Sequence, residues 1–322
     1  MVQRMNIFSI AAAAAACFAS GVPAQDFPNR QVKILVGFPA GGPSDIPARF
    51  IADKLRVSLN QPVVVENKTG ASGMLALNDM LAQPRDGHTL LLCSYIDPTN
   101  TLLYKNPTYK LADLASISLV SKAYYAFTVP ADLPVNSLAE FIAYAKERPG
   151  KLNYGRVGSG SVTELLARQL EQTAGISMVG VTFRGTGPAL QEVAAGRLEF
   201  MVGPLAVTLP LYEGGKVKII GMTSPERLAV APKVSTLKEQ GVDIVNYGWW
   251  GVCGAAGIPQ PVVDRLNKEV VAIVKSDEFR ALMERAGAIA TASTIAEMNA
   301  AMTETATDAG RMIKQFGIEQ LE

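Results

Sequence analysis

Apolar positions along the chain fall into short runs that alternate between two spacings. Residues 31–38 (QVKILVGF) form a nearly continuous apolar run and predict a buried strand. The glycine-proline loop PAGGPSD (39–45) follows. Ile46, Phe50, Ile51 and Leu55 then recur at helical spacing over residues 46–59. Ser44 or Asp45 is placed to cap that helix, and Pro47 is tolerated in its first turn. A second strand is expected at 62–66 (PVVVE), a turn at 68–73, a helix to about residue 82, and a third strand at 89–94 opened by Asp86-Gly87. Strands and helices in alternation predict a parallel sheet.

The pattern continues with a strand at 126–129 and a helix from the capping box Ser137-Leu138-Ala139-Glu140, stopped at Pro149-Gly150. A strand at 152–154 leads into the loop Gly158-Ser159-Gly160-Ser161. A second capping box, Ser161 with Glu164, starts a helix carrying Leu165, Leu166 and Leu170. Further strands are expected at 179–183, 198–202 and 218–223, with helices at 187–195, 262–274, 278–286 and 295–316; residues 249–254 are apolar and glycine-rich. A strand, a Gly-rich loop and a capped helix therefore occur twice, at Gly41-Gly42 and at Gly158-Gly160. A helix N-terminus offers unpaired N–H groups and the positive dipole end, and glycine lets a ligand come close to the backbone. Two such sites suit a molecule with a carboxylate at one or both ends. The same pattern is also met by two plain strand-to-helix turns, and both readings stand at this stage.

The first residues change the picture of where the chain works. Arg4 precedes an apolar stretch from Ile7 to Ser20, and Val22-Pro23-Ala24 supplies small residues for cleavage. The stretch is too short for a membrane span and fits a signal peptide over residues 1–24, with a periplasmic mature protein. The chain has 30 Lys plus Arg and 29 Asp plus Glu. Arg4 is the single charge in residues 1–24, so the mature chain carries 29 of each sign. That balance gives no footprint for nucleic acid. Cys93 and Cys253 lie in apolar stretches and read as buried thiols.

Longer stretches are specific. VGFPAGGPSDIPARFIADKL (36–55), QPVVVENKTGASG (61–73), DGHTLLL (86–92), PGKLNYG (149–155), GSGS (158–161), FRGTGPAL (183–190), GGKVKIIGMTS (214–224) and GWWGVCGAAGIP (248–259) resemble, in order, the Bug-type solute-binding proteins of tripartite tricarboxylate transporters. The resemblance covers nearly the whole mature chain. It implies an α/β, two-lobed type II periplasmic-binding-protein fold joined by two crossing strands, near 119–129 and 247–254. Lobe 1 then comprises 25–125 and 252–322, and lobe 2 comprises 126–251. The implied ligand is a small organic carboxylate, an aliphatic dicarboxylate or an aromatic acid, delivered to the membrane components of such a transporter. No cofactor or metal is implied, and a monomer is expected.

Carried over by position, the resemblance makes Phe38, Ala40, Gly41, Gly42, Ser44 and Asp45 the first ligand loop, and Gly158, Ser159, Gly160 and Ser161 the second. Asp45 is a poor partner for an anion and is assigned to capping at the site's edge. Ser94 and Tyr95 end the third strand at the cleft. Glu164 stands where relatives often have His, and the capping box accounts for it. Arg184 replaces a common Lys and offers a bidentate grip on a carboxylate. Gly203-Pro204 replaces an Asp-Asn pair, which argues against a ligand ammonium. Catalysis is the rival reading: a secreted hydrolase using a serine of the Gly-Ser loop. It needs a nucleophile elbow G-x-S-x-G, which is lacking, and the one histidine, His88, sits in a strand motif. A sensor signalling to a membrane partner is the other alternative. Trp249-Trp250 lines a pocket or packs a core. Export predicts cleavage after Ala24, so mass spectrometry of protein from the native host should show Gln25 as the first residue; an intact Met1 overturns this.

Overall fold

A computed structural model describes residues 27–157 and 161–321. The expected signal peptide, and Gly158, Ser159 and Gly160 of the second loop, lie outside the described residues. In chain order the elements are β1 (Val32–Val36), α1 (Asp45–Ser58), β2 (Val63–Asn67), α2 (Met74–Leu81), β3 (Thr89–Ser94), α3 (Ile96–Leu103), β4 (Leu114–Pro130), α4 (Leu138–Lys146), β5 (Asn153–Arg156), α5 (Val162–Ala174), β6 (Val179–Thr182), α6 (Thr186–Ala194), β7 (Phe200–Pro204), α7 (Leu205–Glu213), β8 (Val217–Met222), β9 (Tyr247–Ala255), α8 (Gln260–Val274), α9 (Asp277–Arg285), β10 (Ala288–Ala290) and α10 (Ile295–Phe316).

The strands hydrogen-bond in the order β2-β1-β3-β9-β4-β7-β5-β6, with β8 and β10 also on β4. β1, β2 and β3 run parallel, as do β5, β6 and β7. The antiparallel strands β9 and β4 join the two parallel sets. Strand β4 serves both. Leu114 to Tyr124 pairs with β9, and Tyr125 to Pro130 pairs with β7 and β8. This is the α/β type II periplasmic-binding-protein fold that the resemblance implied.

Each parallel set is covered by helices. Ile51 and Leu55 of α1, Leu266 of α8 and Phe279 of α9 pack over Ile34. Leu77 of α2 and Met298 of α10 pack on the opposite face with Trp249. In the second half Phe127, Phe141 and Phe200 form the aromatic centre, Phe141 stacked on Phe200 at 5.0 Å and Phe127 edge-on to it at 5.4 Å. Ser137 caps α4 by accepting the Glu140 N–H, but the Glu140 carboxylate takes the N–H of Asn136 instead of completing the expected box.

The structure departs from the apolar pattern in three places. Helix α3 was not expected, because its sequence IDPTNTLL is rich in poor helix formers. Its polar residues face inward and are satisfied there: Thr99 donates to Tyr95 O, and Asn100 to Ser72 O. Helix α7 carries an internal proline, Pro210. Strand β4 is far longer than residues 126–129, because buried Ser116, Ser118 and Ser121 interrupt its apolar run. Ser118 donates to Ser293 O, which removes the cost of burying that hydroxyl.

Gly248 on β9 admits two tyrosines at the crossing. A Cβ there would come within 2.7 Å of both the Tyr125 hydroxyl and a Tyr95 ring carbon. Gly248→Ala should therefore cost about 1–3 kcal/mol by overpacking, read as a lower urea midpoint; an unchanged midpoint shows that the tyrosines yield freely.

Candidate functional site

The first loop leaves β1 with Phe38 half-buried and Ala40 and Gly41 exposed. Gly41 has φ +80°, which favours glycine, and nothing lies within 4 Å of where its Cβ would be. The loop is tied down by the buried Asp45. Its carboxylate accepts the Gly41 N–H at 2.9 Å, Arg49 Nε at 2.8 Å and Asn67 Nδ2 at 2.9 Å, while Asn67 also donates to Phe38 O. Burial works to raise this carboxyl, but the bonds from Arg49, Gly41 and Asn67 outweigh it and hold it below its ordinary range.

Neither expected cap acts on α1. Asp45 reaches back to the loop, and the Ser44 hydroxyl accepts Trp250 Nε1 at 2.9 Å. The Gly42 carbonyl closes the first turn by accepting the N–H of Asp45 and Ile46. The N–H groups of Gly42 and Ser44 have no partner among the described residues, so the loop keeps donors for a ligand.

Strand β3 ends in buried Ser94 and half-buried Tyr95. The Tyr95 ring stands edge-on to Trp250 at 5.9 Å and to Tyr125 at 6.3 Å, so it touches both halves of the molecule. Asp97 was not anticipated. It is 5% exposed and accepts the Ser94 N–H at 2.6 Å, and burial pushes its carboxyl up to about 7. Asp97-Pro98 was the available signal, a turn former directly after a strand.

In the second half Ser161 caps α5, accepting the Glu164 N–H and bonding Thr163 Oγ1 at 3.0 Å. Glu164 is fully buried. Its carboxylate takes Arg156 Nη1 and lies 3.5 Å from Arg168 Nε, a role that the missed Arg156 completes from the end of β5. Arg184 is exposed ahead of α6 and has no bond to the described residues. Gly203 is buried in β7, and a Cβ there would lie 2.9 Å from Thr208 Oγ1 and 3.3 Å from Leu190. Thr208 donates to Pro204 O, so the space for a side chain at 203 is already filled. His88 is buried against Phe27, with Nε2 accepting the Asn29 N–H at 3.3 Å. Cys93 and Cys253 are free and buried, and burial raises both thiols.

Register brings these pieces together. Ser94 at the end of β3 pairs with Trp250, which pairs with Ser121 of β4. Pro204 at the end of β7 pairs with Tyr125 of the same strand. β3 runs toward Tyr125 and β7 runs against it, so the C-terminal ends of the two parallel sets point at each other across one short stretch of β4. The segments at 38–45, 94–95, 183–185 and 203–204 all lie at those ends. Ligands of open α/β sheets bind outside the carboxyl ends of strands. Beside this crossing lies a cavity of about 140 Å3 bordered by Gly41, Pro43, Trp250 and Ala206. Trp249 points the other way, buried, with Nε1 donating to Thr305.

Comparison with known proteins agrees with this architecture. The family model for the tripartite tricarboxylate transporter family receptor matches residues 47–318. The chain is 34% identical over 265 residues to a UPF0065 protein in the gbd 5' region of Cupriavidus necator, covering 80% of each. It is 30% identical over 261 residues to protein BugT of Bordetella pertussis, again covering 80% of each. R. palustris Rpa4515, solved with adipate, superimposes with a TM-score of 0.85 at 29% identity over 92% of this chain and 100% of that one. MatC from Rhodopseudomonas palustris, solved with bound malate, gives 0.79 at 28% identity over 89% and 100%.

Asp97 sets a pH dependence. Its carboxyl titrates near 7 folded and near its ordinary 3.8 unfolded, so the unfolded chain loses the proton first. Stability should fall by about 1.4 kcal/mol per unit as pH rises between those values, and level off above the folded one. Asp97→Asn keeps the acceptor for Ser94 and should remove that fall; parallel melting profiles for both proteins from pH 4 to 8 would refute it.

Proposed function

We propose a function for this chain as a member of the tripartite tricarboxylate transporter receptor family, to which it belongs. It is an exported, periplasmic solute-binding protein that holds a small organic carboxylate between two lobes, 25–125 with 252–322 and 126–251. It works as a monomer and passes the ligand to the membrane components of a tripartite tricarboxylate transporter. The observation that carries this reading is the convergence of the strand ends of both halves on β4, with the unpaired N–H groups of Gly42 and Ser44 on the first loop. Backbone donors at a helix N-terminus suit a carboxylate. Two related structures hold adipate and malate.

Phe38, Ala40, Gly41, Gly42 and Ser44 then form the first wall of the ligand site, Ser94 and Tyr95 its floor, and Gly158, Ser159, Gly160 and Ser161 the opposite wall. Asp45 acts on the ligand only through the loop it anchors. Arg184, exposed and without a bond to the described residues, is available for the carboxylate. At Gly203 the crowding by Thr208 leaves no room for an acidic partner to an ammonium. Turnover is not part of this reading: Ser161 is engaged with Glu164 and Thr163 at the start of α5. Among the described residues no helix is long and apolar enough to cross a membrane.

A thermal-shift series with succinate, glutamate and benzoate tests the ligand class, since a ligand of the native state raises its melting temperature. At least one of the two plain acids should raise it more than glutamate; a larger shift with glutamate overturns the assignment at Gly203. Arg184→Ala should weaken binding of the preferred acid by about 1.5–3 kcal/mol if it makes a charge-assisted bond, and unchanged affinity returns Arg184 to the solvated surface.

A further inference from the structure

The cavity beside the first loop has a chemistry of its own. Its volume is about 140 Å3, and its lining includes Pro43, Ile46, Ala206, Val207, Trp250 and Met283. Ser121 contributes the one side-chain hydroxyl, and none of the described residues lining it is charged. The indole N–H of Trp250 is already spent on Ser44, so the tryptophan offers the cavity only its apolar surface.

Size and polarity together select an occupant. An apolar cavity of about 150 Å3 is known to take a benzene ring. A second carboxylate seated among Ile46, Val207 and Met283 would be an unpaired charge in an apolar wall, which is costly. A four-carbon diacid therefore leaves this space empty, whereas a ring fills it and gains an aromatic neighbour in Trp250. Gly41 and Pro43, which flank Gly42, line the cavity too, and the Gly42 N–H has no partner among the described residues. Head and body of one molecule are thus provided for side by side.

The geometry points to this cavity as the seat of a six-membered ring, and to a benzoate-type monocarboxylate as the ligand. The inference rests on the carboxylate-binding function proposed above and narrows it. Ala206 and Val207 belong to α7, while Pro43 and Ile46 belong to the first loop and α1, so a ring bridges the two halves directly.

Calorimetry with benzoate, cyclohexanecarboxylate, succinate and adipate on the purified chain tests it. Both ring acids should bind at least about tenfold more tightly than succinate and adipate. Ala206→Leu, which fills the cavity from a half-buried helix position, should weaken benzoate by about tenfold or more. Ala288→Val fills it from β10 and serves the same purpose if the first variant melts early. Succinate or adipate binding more tightly than both ring acids overturns the ring site and leaves the carboxylate function standing. Unchanged benzoate affinity in both folded variants likewise overturns the ring site. No heat with any of the four acids overturns the carboxylate function itself, and the ring site with it.

Discussion

Strand β4 belongs to two sheets, and everything around it is arranged by where it passes from one to the other. Its first part, to Tyr124, is paired along β9; its last part, from Tyr125, is paired by β7 and β8. A strand has two edges and each backbone group wants a partner, so the neighbours of the first part must stop where those of the second begin. Their loops are released at that boundary from opposite directions. The convergence of strand ends from both halves follows from the hydrogen-bond accounting of one strand. Tyr95, Tyr125 and Gly248 fill the corner that the changeover creates, which is why the smallest residue faces two large rings there.

Two buried aspartates flank this corner, and their surroundings drive them apart. Asp45 is met by the Arg49 guanidinium, an amide N–H and the Asn67 side chain, which together outweigh burial and keep it ionised. Asp97 has a backbone N–H for its carboxylate but no ion pair among the described residues, and burial dominates. The first therefore behaves as a fixed negative anchor that stretches a loop into shape. The second is raised by burial to about 7. An anchor of this kind is compatible with an anionic ligand because its charge is consumed internally: Arg49 and the loop N–H neutralise it before a ligand arrives. Glu164 is consumed in the same way by Arg156 and Arg168 on the second side.

The order of strands and helices was legible because most elements bury one regular apolar face: β1, β3, α1, α4, α8 and α10 lie within a few residues of where periodicity puts them. The elements that escaped are those in which polar residues are buried. In α3 the inward face is Asp97, Thr99 and Asn100, and in β4 it includes Ser118, bonded to the Ser293 backbone. Periodicity reads hydrophobicity, whereas Asn100 and Ser118 are held by hydrogen bonds to Ser72 and Ser293, distant in the chain, and Asp97 and Thr99 by backbone groups of the preceding turn.

For the candidate site the division falls along the same line. The chain alone determined that glycine-rich loops precede two helices, that no acid stands at position 203, and that Ser161 opens α5, because these depend on residues next to one another. Only the tertiary structure decided that Ser44 bonds Trp250, that Asp45 holds Gly41, that Asp97 is buried, and that Ala206 closes a cavity against Pro43. The Ser44–Trp250 and Ala206–Pro43 pairings bring together groups more than a hundred residues apart, and Asp45 could equally have capped its own helix. A hydroxyl or carboxylate has several local partners open to it, and which one it takes is set by what packing leaves within reach.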